Sequence, residues 1–198
     1  IDPLVPTAPL LSSLHALRDA FPHLPVSFST EGLGGAGRRL RRGEAGLAFC
    51  ILLPGVPEDL AAFPLARAAL LPVVAPDHAL GRLERPVTRA ELRQHVQLVL
   101  SDPVAPDGPN YGIVGTRVWR FAELGRRLDF LLAGFGWCRM PEHAVAAPLA
   151  EGRLVRLEIV DDPASPGGPL VIHAAHLRDR PPGPAGRWLL DDLRRRLA

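Results

Sequence analysis

The stretch from residue 124 to residue 157 constrains the fold of this chain more than any other. It begins with leucines spaced three and four residues apart, which predict an amphipathic helix. That pattern ends at Ala133-Gly134-Phe135-Gly136, because glycine can adopt backbone conformations closed to bulkier residues. Pro141 prevents simple continuation of the helix. A second helix over 143–149 and a strand over 154–159 are predicted to follow.

The first third of the chain alternates between helical and strand patterns. Thr7 can cap a first helix that ends at Pro22, and residues 26–30 alternate as a strand. A glycine-rich turn then leads into an arginine-rich helix. Residues 47–53 form a continuous apolar run, as in a strand buried on both faces. The first two residues resemble the end of a strand, and the resulting β-α-β-α-β order predicts parallel pairing with right-handed crossovers.

The rest of the chain continues the alternation. The patterns predict a helix capped by Thr88, three strands (96–100, 117–121 and 170–176) and a terminal helix over 184–197. Residues 101–116 are loop-like, as are residues 161–168, because both are rich in Pro, Gly and Asp.

Composition indicates a globular α/β chain outside the membrane. With 198 residues, 47% of them hydrophobic, there is enough apolar surface for a sizeable core. No apolar run approaches the roughly 18 residues of a membrane span, and the first residues do not resemble a signal peptide. Cys50 and Cys138 lie in apolar runs without metal-ligand spacing. Buried free thiols are therefore favoured over a disulfide, which suits a reducing cytoplasm.

The basic residues give little indication of nucleic-acid binding by this part of the protein. All 23 are arginine, and with 22 prolines and 19 glycines this is most simply explained by codon bias in a GC-rich genome. A net charge of +2 is too small to indicate a phosphate-binding surface.

The chain contains none of the common catalytic motifs. It has no G-x-S-x-G elbow, no phosphate loop ending in Lys-Ser/Thr and no H-E-x-x-H pair. His173 and His176 are three residues apart on a predicted strand, so their imidazoles point to opposite faces. We therefore predict no catalytic residues, no metal site and no cofactor.

Several motifs together resemble the effector-binding domain of LysR-type transcriptional regulators. The run Ala133-Gly134-Phe135-Gly136 with Pro141 is similar to the A-G-x-G-x-x-x-x-P turn in the second lobe of that domain. The segments LRDAFPHLPVSFSTEG, RRLRRGEAGLAFCI and PLARAALLPVVAPDHALG are similar to its first-lobe and crossover segments. One departure is Gly46, where the family usually has Asp. The resemblance covers nearly the whole chain.

This resemblance implies an α/β fold with two lobes, similar to type 2 periplasmic binding proteins. Each lobe is expected to be a central, mostly parallel sheet flanked by helices, and two crossover strands join the lobes. Lobe one is expected to combine 1–74 with 177–198, and lobe two to span 75–176. The winged helix-turn-helix that precedes such a domain is absent from this chain.

Ligands in parallel α/β lobes bind beyond the carboxyl ends of strands, where helix N-termini point free amides outward. Three segments fit: residues 4–7, residues 33–35 and residues 112–116. By the resemblance, they match the places where family members contact effectors. The predicted ligand-binding residues are Leu4, Val5, Pro6, Thr7, Leu33, Gly34, Gly35, Ile113, Val114 and Thr116. Structural roles remain open for them: a helix cap for Thr7, a glycine-requiring turn for Gly34 and Gly35, and a strand-edge hydroxyl for Thr116. Apolar walls with amide donors suit a small organic anion or a neutral metabolite.

The resemblance implies an effector-sensing and oligomerisation domain that binds a small metabolite between its lobes. In the family such domains form homodimers, the full-length protein is a tetramer, and the missing N-terminal domain binds DNA. We expect a cytoplasmic protein without enzymatic activity or membrane contact. A solute-binding protein of a transport system on the same fold is the alternative, and an enzyme on this scaffold is a third possibility.

Overall fold

The computed structural model describes residues 1–102, 104, 112–160 and 170–197. The predicted loop over 101–116 therefore lies partly outside the described residues, and the predicted turn-rich segment 161–168 lies entirely outside them. Within the described part, the helices are α1 (Thr7–Ala20), α2 (Gly35–Arg41), α3 (Arg89–Gln94), α4 (Leu124–Leu132), α5 (Glu142–Ala150) and α6 (Pro184–Leu197). The strands there are β1 (Ala48–Ile51), β2 (Leu60–Ala68), β3 (Leu70–Val74), β4 (Gln97–Leu100), β5 (Val118–Phe121), β6 (Trp137–Pro141), β7 (Val155–Arg156) and β8 (Leu170–Leu177).

The chain divides into two compact units. Unit 1 is discontinuous in sequence, and unit 2 is inserted within it. Unit 1 comprises Ile1–Arg67 and Val171–Ala198, and unit 2 comprises Ala68–Leu170. These boundaries differ from the expected 74/75 and 176/177. Hydrogen bonding explains the difference, because β3 pairs with strands of unit 2 and β8 pairs with β1 of unit 1.

Unit 1 contains a three-stranded sheet in the order β1-β8-β2. β1 and β8 are antiparallel, with Ala48 opposite Ala175 and Ile51 opposite Ile172. The expectation of a mostly parallel sheet is therefore wrong for this pair. β8 follows the whole of unit 2 in sequence, so no β-α-β crossover fixes its direction relative to β1.

Helices complete the core of unit 1. α1 packs against α6, and the rings of Phe21 and Trp188 meet edge to face at 6.0 Å. This contact confirms the predicted terminal helix on lobe one. α2 packs against β1, with Leu40 and Cys50 in a shared apolar cluster.

The predicted strand over 26–30 is not formed. Val26 and Phe28, which share one face of this extended segment, are 47% and 58% exposed, so that face is not covered in the described chain. Its end does pair with the first residue: the Ile1 amine donates to the Ser29 carbonyl at 2.8 Å, and the Glu31 N–H donates to the Ile1 carbonyl at 3.0 Å. Ile1 thus bonds to the residues before and after Thr30, which is typical of two segments that run parallel.

Unit 2 contains a five-stranded mixed sheet in the order β5-β4-β6-β3-β7. β5, β4 and β6 are parallel, whereas β3 is antiparallel to both β6 and β7. The expected parallel sheet is thus confined to three strands. Separate apolar clusters contain Leu131, Met140 and Leu154 on one hand and Val74, Trp137 and Leu157 on the other.

The glycine turn that organised the sequence prediction lies at the end of α4. Gly134 has a φ of 76°, which is why only glycine fits easily there. A Cβ on Gly136 would overlap the Val96 carbonyl oxygen, so this position needs glycine for close backbone approach. The turn then leads into β6, a strand that the sequence prediction missed, and Pro141 is both the last residue of β6 and the N-cap of α5.

Other local predictions are confirmed. Thr88 caps α3 in a capping box with Glu91. Cys50 and Cys138 are buried free thiols, and burial raises their pKa values to about 12 and about 11. Within the described segments, no helix combines the length and apolar character needed to cross a membrane.

Candidate functional site

The first two predicted ligand-binding segments leave one edge of unit 1. Ile1 pairs with Ser29 and Glu31, and the Asp2 N–H donates to the Phe49 carbonyl at 2.7 Å. The segments that continue from Asp2 and from Glu31 therefore start as parallel neighbours, and Asp2 is also hydrogen-bonded to β1. One continues into α1 and the other into α2, as the rule of carboxyl ends requires.

Asp2 shapes the entry to α1, and the sequence prediction did not include it. Its side chain is 2% exposed, and its carboxylate accepts a hydrogen bond from the Leu4 N–H at 2.8 Å. Burial raises the pKa of the Asp2 carboxyl to about 6, against the opposing effect of the Leu4 amide. The signal was present in the sequence, because an Asp-Pro pair before a helix favours such an Asx turn.

The start of α1 offers few free donors. The N–H groups of Leu4 and Val5 bond to the side chain and the carbonyl of Asp2. α1 begins at Thr7 with Pro6 as the N-cap residue and no side-chain cap from Pro6, so the N-cap lies one residue before the expected position. Since Pro6 and Pro9 carry no N–H, the orphan donors of the first turn are the amides of Thr7 and Ala8.

The side chains of Leu4 and Val5 are not pocket walls. They are 5% and 8% exposed and belong to the core of unit 1. Val5 and Pro6 line a crevice between α1, α6 and the sheet, whose volume is only ≈ 10 Å³. That is about the space of one water molecule. Leu4 and Val5 therefore offer a ligand mainly their backbone, and the side chain of Thr7 lies outside the described part.

The second segment is a glycine turn at the start of α2. Gly34 has a φ of 77°, and the Gly35 N–H donates to the Gly32 carbonyl at 2.9 Å. A Cβ on Gly35 would lie 2.9 Å from the Glu31 carboxylate, which is bonded to Arg39. Leu33 is half-buried. The two glycines thus have structural roles whether or not a ligand binds.

The sequence predicts the third segment, residues 112–116, at the carboxyl ends of the strands. In the structure this segment lies at the other end of its sheet. Gln97, the first residue of β4, donates from its side-chain amide to the Gly112 carbonyl at 2.8 Å. Its side-chain oxygen accepts from the Val114 N–H at 2.8 Å and from the Gly115 N–H at 3.4 Å. Because Gln97 also pairs with Val118 at the start of β5, residues 112–115 lie at the amino ends of the parallel strands.

This placement corrects the reason for including Ile113, Val114 and Thr116 in the site. The Val114 amide is occupied, Ile113 and Val114 are half-buried, and Thr116 is exposed. The carboxyl ends of β4 and β5 lie elsewhere, where the Ser101 N–H donates to the Phe121 carbonyl at 2.8 Å.

The described residues offer no metal cluster. No group of three or more His, Cys, Asp or Glu side chains lies close enough together in them to hold a metal ion. His176 hydrogen-bonds through Nδ1 to the Leu177 carbonyl at 2.7 Å. Burial lowers the pKa of His173, whose Nδ1 is buried without a partner in this part of the chain.

Comparisons with known proteins point to one family. The family model described as LysR substrate binding domain matches residues 1–198. A search of curated protein sequences gives no match.

Solved structures with the same fold are regulatory domains at low sequence identity. The Synechocystis PCC6803 CcmR regulatory domain in complex with 2-PG has a TM-score of 0.73 and 16% identity, over 95% of this chain and 90% of that one. The OxyR regulatory domain from Pseudomonas aeruginosa has a TM-score of 0.69 and 18% identity, over 98% and 93%. The effector-binding domain of QuiR in complex with shikimate has a TM-score of 0.67 and 17% identity, over 95% and 90%.

Proposed function

The chain belongs to the LysR substrate-binding domain family, and from this premise we propose that it is the effector-sensing domain of a DNA-binding transcriptional regulator. The observation that carries the proposal concerns one edge of unit 1. There, the segments that lead into α1 and α2 start next to each other. Two of the related structures hold small ligands: the CcmR regulatory domain is in complex with 2-PG, and the effector-binding domain of QuiR is in complex with shikimate.

The effector that fits this edge best is a small organic anion. The amides of Thr7 and Ala8 are orphan donors at the positive end of a helix of 14 residues. No acidic side chain lies in the first turn of α1. The backbone of residues 4–7 and the turn at Leu33, Gly34 and Gly35 form the proposed contact surface.

One substitution separates the amide of Thr7 from its hydroxyl. Pro is favoured at the first position of a helix, and the ψ of 131° at Pro6 is compatible with a following proline. Thr7→Pro therefore removes the amide donor while keeping α1 intact, whereas Thr7→Ala keeps the amide and removes the hydroxyl and the γ-methyl group.

Thermal-shift screening against small carboxylates and phosphates identifies an effector, and calorimetry then measures its affinity. We expect a roughly 10- to 150-fold loss of affinity in Thr7→Pro, since a charge-assisted hydrogen bond contributes roughly 1.5–3 kcal/mol. Thr7→Ala should bind normally if the amide is the contact. A protein that binds only cationic amines, or equal affinity in Thr7→Pro, would contradict the proposal.

We further propose that the domain forms a homodimer through two apolar patches. In unit 1, Val26 and Phe28 are exposed, and so is Leu11 on α1. In unit 2, Trp119 on β5 and Phe135 after α4 are exposed, with ring centroids 5.5 Å apart. Pairing the first patch with the second patch of another protomer, twice, gives a closed two-fold dimer.

Oligomeric state tests the dimer directly. Light scattering should show a dimer for the chain and a monomer for Phe28→Asp, which places a charge in the first patch. Val56→Asp changes another exposed apolar residue and should remain dimeric. A monomeric parent chain, or a dimeric Phe28→Asp, would contradict this interface.

DNA contact, a tetrameric full-length protein, a cytoplasmic location and the absence of catalysis complete the proposal. The chain spans 68% of HinK, a LysR family transcriptional regulator from Pseudomonas aeruginosa, and 62% of full-length BenM. A solute-binding protein on the same fold is less favoured, since the relatives named above are regulators. Helix-turn-helix periodicity in coding sequence next to Ile1 would support the regulator, and a hydrophobic leader would support the solute binder.

A further inference from the structure

Unit 2 contains a cavity of ≈ 320 Å³ at the free edge of β7, the last strand in the sheet order. One wall is formed by residues 80–87 and the other by residues 155–158. This volume falls at the lower end of the range for small-molecule sites. None of the residues of the proposed effector site lines it, so it is a separate place in the molecule.

The backbone along the floor of the cavity has unused hydrogen-bonding groups. The Leu157 N–H donates to the Pro72 carbonyl at 2.9 Å, so residue 157 faces β3. Arg156 is opposite Val73 in the intervening, non-hydrogen-bonded pair, and its N–H and C=O therefore point to the free edge. The Glu158 carbonyl also points there, and it accepts from a residue of the opposite wall at 2.7 Å. The Arg156 carbonyl and the Glu158 N–H have no partner among the described residues.

The opposite wall begins to pair with this edge only at its last residue. Val87 forms a parallel bridge with residues 158–160. If this parallel pairing continued two residues upstream, the Arg85 N–H would donate to the Arg156 carbonyl. The Arg85 carbonyl would then accept from the Glu158 N–H. The Arg85 guanidinium is instead bonded to Glu91 of α3, and the Arg85 backbone forms no such bonds within the described chain. The backbone groups of Arg156 and Glu158 are therefore free to bond the main chain of one extended residue.

Two acidic side chains and one basic side chain at the cavity have no partner within the described chain. The side chains of Glu84, Arg156 and Glu158 line it, and none of the three has a hydrogen bond or an ion pair within the described chain. Leu80, Leu83 and Leu157 supply apolar walls continuous with a core cluster. Two carboxylates and one guanidinium around an apolar space are complementary to a molecule that carries both an ammonium and a carboxylate.

We propose that this cavity binds a free, apolar L-α-amino acid in an extended conformation. Its ammonium donates to the Arg156 carbonyl and lies near Glu84 and Glu158. Its carboxylate accepts from the Glu158 N–H and the Arg156 guanidinium. Its side chain packs against Leu83 and its apolar neighbours. This goes beyond the anionic effector proposed for unit 1.

Calorimetry on the intact chain with L-leucine tests the site. N-acetyl-L-leucinamide, 4-methylpentanoate and 3-methylbutylamine are the matched probes, since each lacks one or both charges. We expect saturable binding of L-leucine and at least tenfold weaker binding of the three probes. Hydrogen exchange of the Glu158 amide should slow on binding, because its N–H gains an acceptor.

Arg156→Ala and Arg153→Ala form a matched pair of variants. Arg156 lines the cavity, whereas Arg153 is an exposed arginine of the same unit that pairs with Glu151 outside it. We expect Arg156→Ala to weaken L-leucine binding about tenfold and Arg153→Ala to leave it unchanged.

Three results would overturn the proposal: no saturable L-leucine binding, equal affinity in Arg156→Ala, or equal binding of N-acetyl-L-leucinamide. The last would make a peptide strand the occupant. Because Thr7 lies outside this cavity, failure here leaves the anion test in unit 1 unaffected, and the reverse also holds.

Discussion

Replacing Gln97 with alanine should free the segment that precedes β5. The Gln97 side chain is 4% exposed and holds residues 112–115 through two hydrogen bonds of 2.8 Å and one of 3.4 Å. The two short bonds contribute about 1–3 kcal/mol together, since each net hydrogen bond contributes roughly 0.5–1.5 kcal/mol. The long bond adds little.

Hydrogen exchange of the Val114 amide measures this effect locally. A loss of about 2 kcal/mol in the free energy of opening corresponds to roughly 30-fold faster exchange, because 1.4 kcal/mol is a factor of ten. Urea unfolding followed by circular dichroism should show a decrease in the free energy of unfolding of similar size. Gln97→Ala also removes buried methylenes, so the global decrease should be at least as large as the local one.

Gln97→Met is the matched variant, because it removes the same hydrogen bonds but keeps buried methylenes in place. Exchange of the Val114 amide should then be accelerated about as much as in Gln97→Ala, with a smaller loss in the free energy of unfolding. If Gln97→Ala left this exchange rate unchanged, the side-chain clamp would not be what positions the segment.

Three further predictions concern packing and charge. Gly136→Ala should lower the free energy of unfolding by about 1–3 kcal/mol, because its Cβ overlaps a backbone carbonyl. Gly125→Ala, with open space in α4, should instead raise it by about 0.4–1 kcal/mol; equal effects in urea titrations would contradict the overlap. Arg127→Met should be neutral or stabilising by about 1–4 kcal/mol, because Arg127 is 6% exposed with its Nε unpartnered in the described chain. Arg126→Met changes an exposed arginine and should stay within about 0.5 kcal/mol in the same measurement. The folded-state pKa of Asp2 is raised from 3.8 to about 6, so the folded chain binds more protons and loses stability as the pH rises from 4 to 7. Relative to the parent, Asp2→Asn should therefore gain up to about 3 kcal/mol over that range, and parallel stability-pH curves would exclude this.

Local patterns predicted most helices and several strands correctly. The capping box at Thr88 depends on residues three positions apart, and the stripe of α6 depends on residues three and four apart. Such signals act within one or two turns, so they can be read without knowing the tertiary structure. The motif around Gly134 and Pro141 likewise indicated the family over the whole chain.

Strands that depend on a neighbour distant in sequence were harder to predict from the sequence. The strand over 26–30 has the right alternation, yet its neighbour in the described chain is a single residue, Ile1. β6 is only five residues long, and its strand state depends on β3 and β4 beside it. Antiparallel pairing of β1 with β8 joins segments more than 100 residues apart, which no local pattern encodes.

The sequence by itself determined the α/β class, the two-part organisation, the family and the two turns that leave the edge of unit 1. Only the tertiary structure decided which backbone amides remain free in the predicted binding segments. Asp2 uses the amides of Leu4 and Val5, and Gln97 uses that of Val114 at the amino ends of β4 and β5. The physical reason is that a donor's availability depends on which acceptor folding brings within hydrogen-bond distance, and that acceptor can be distant in sequence.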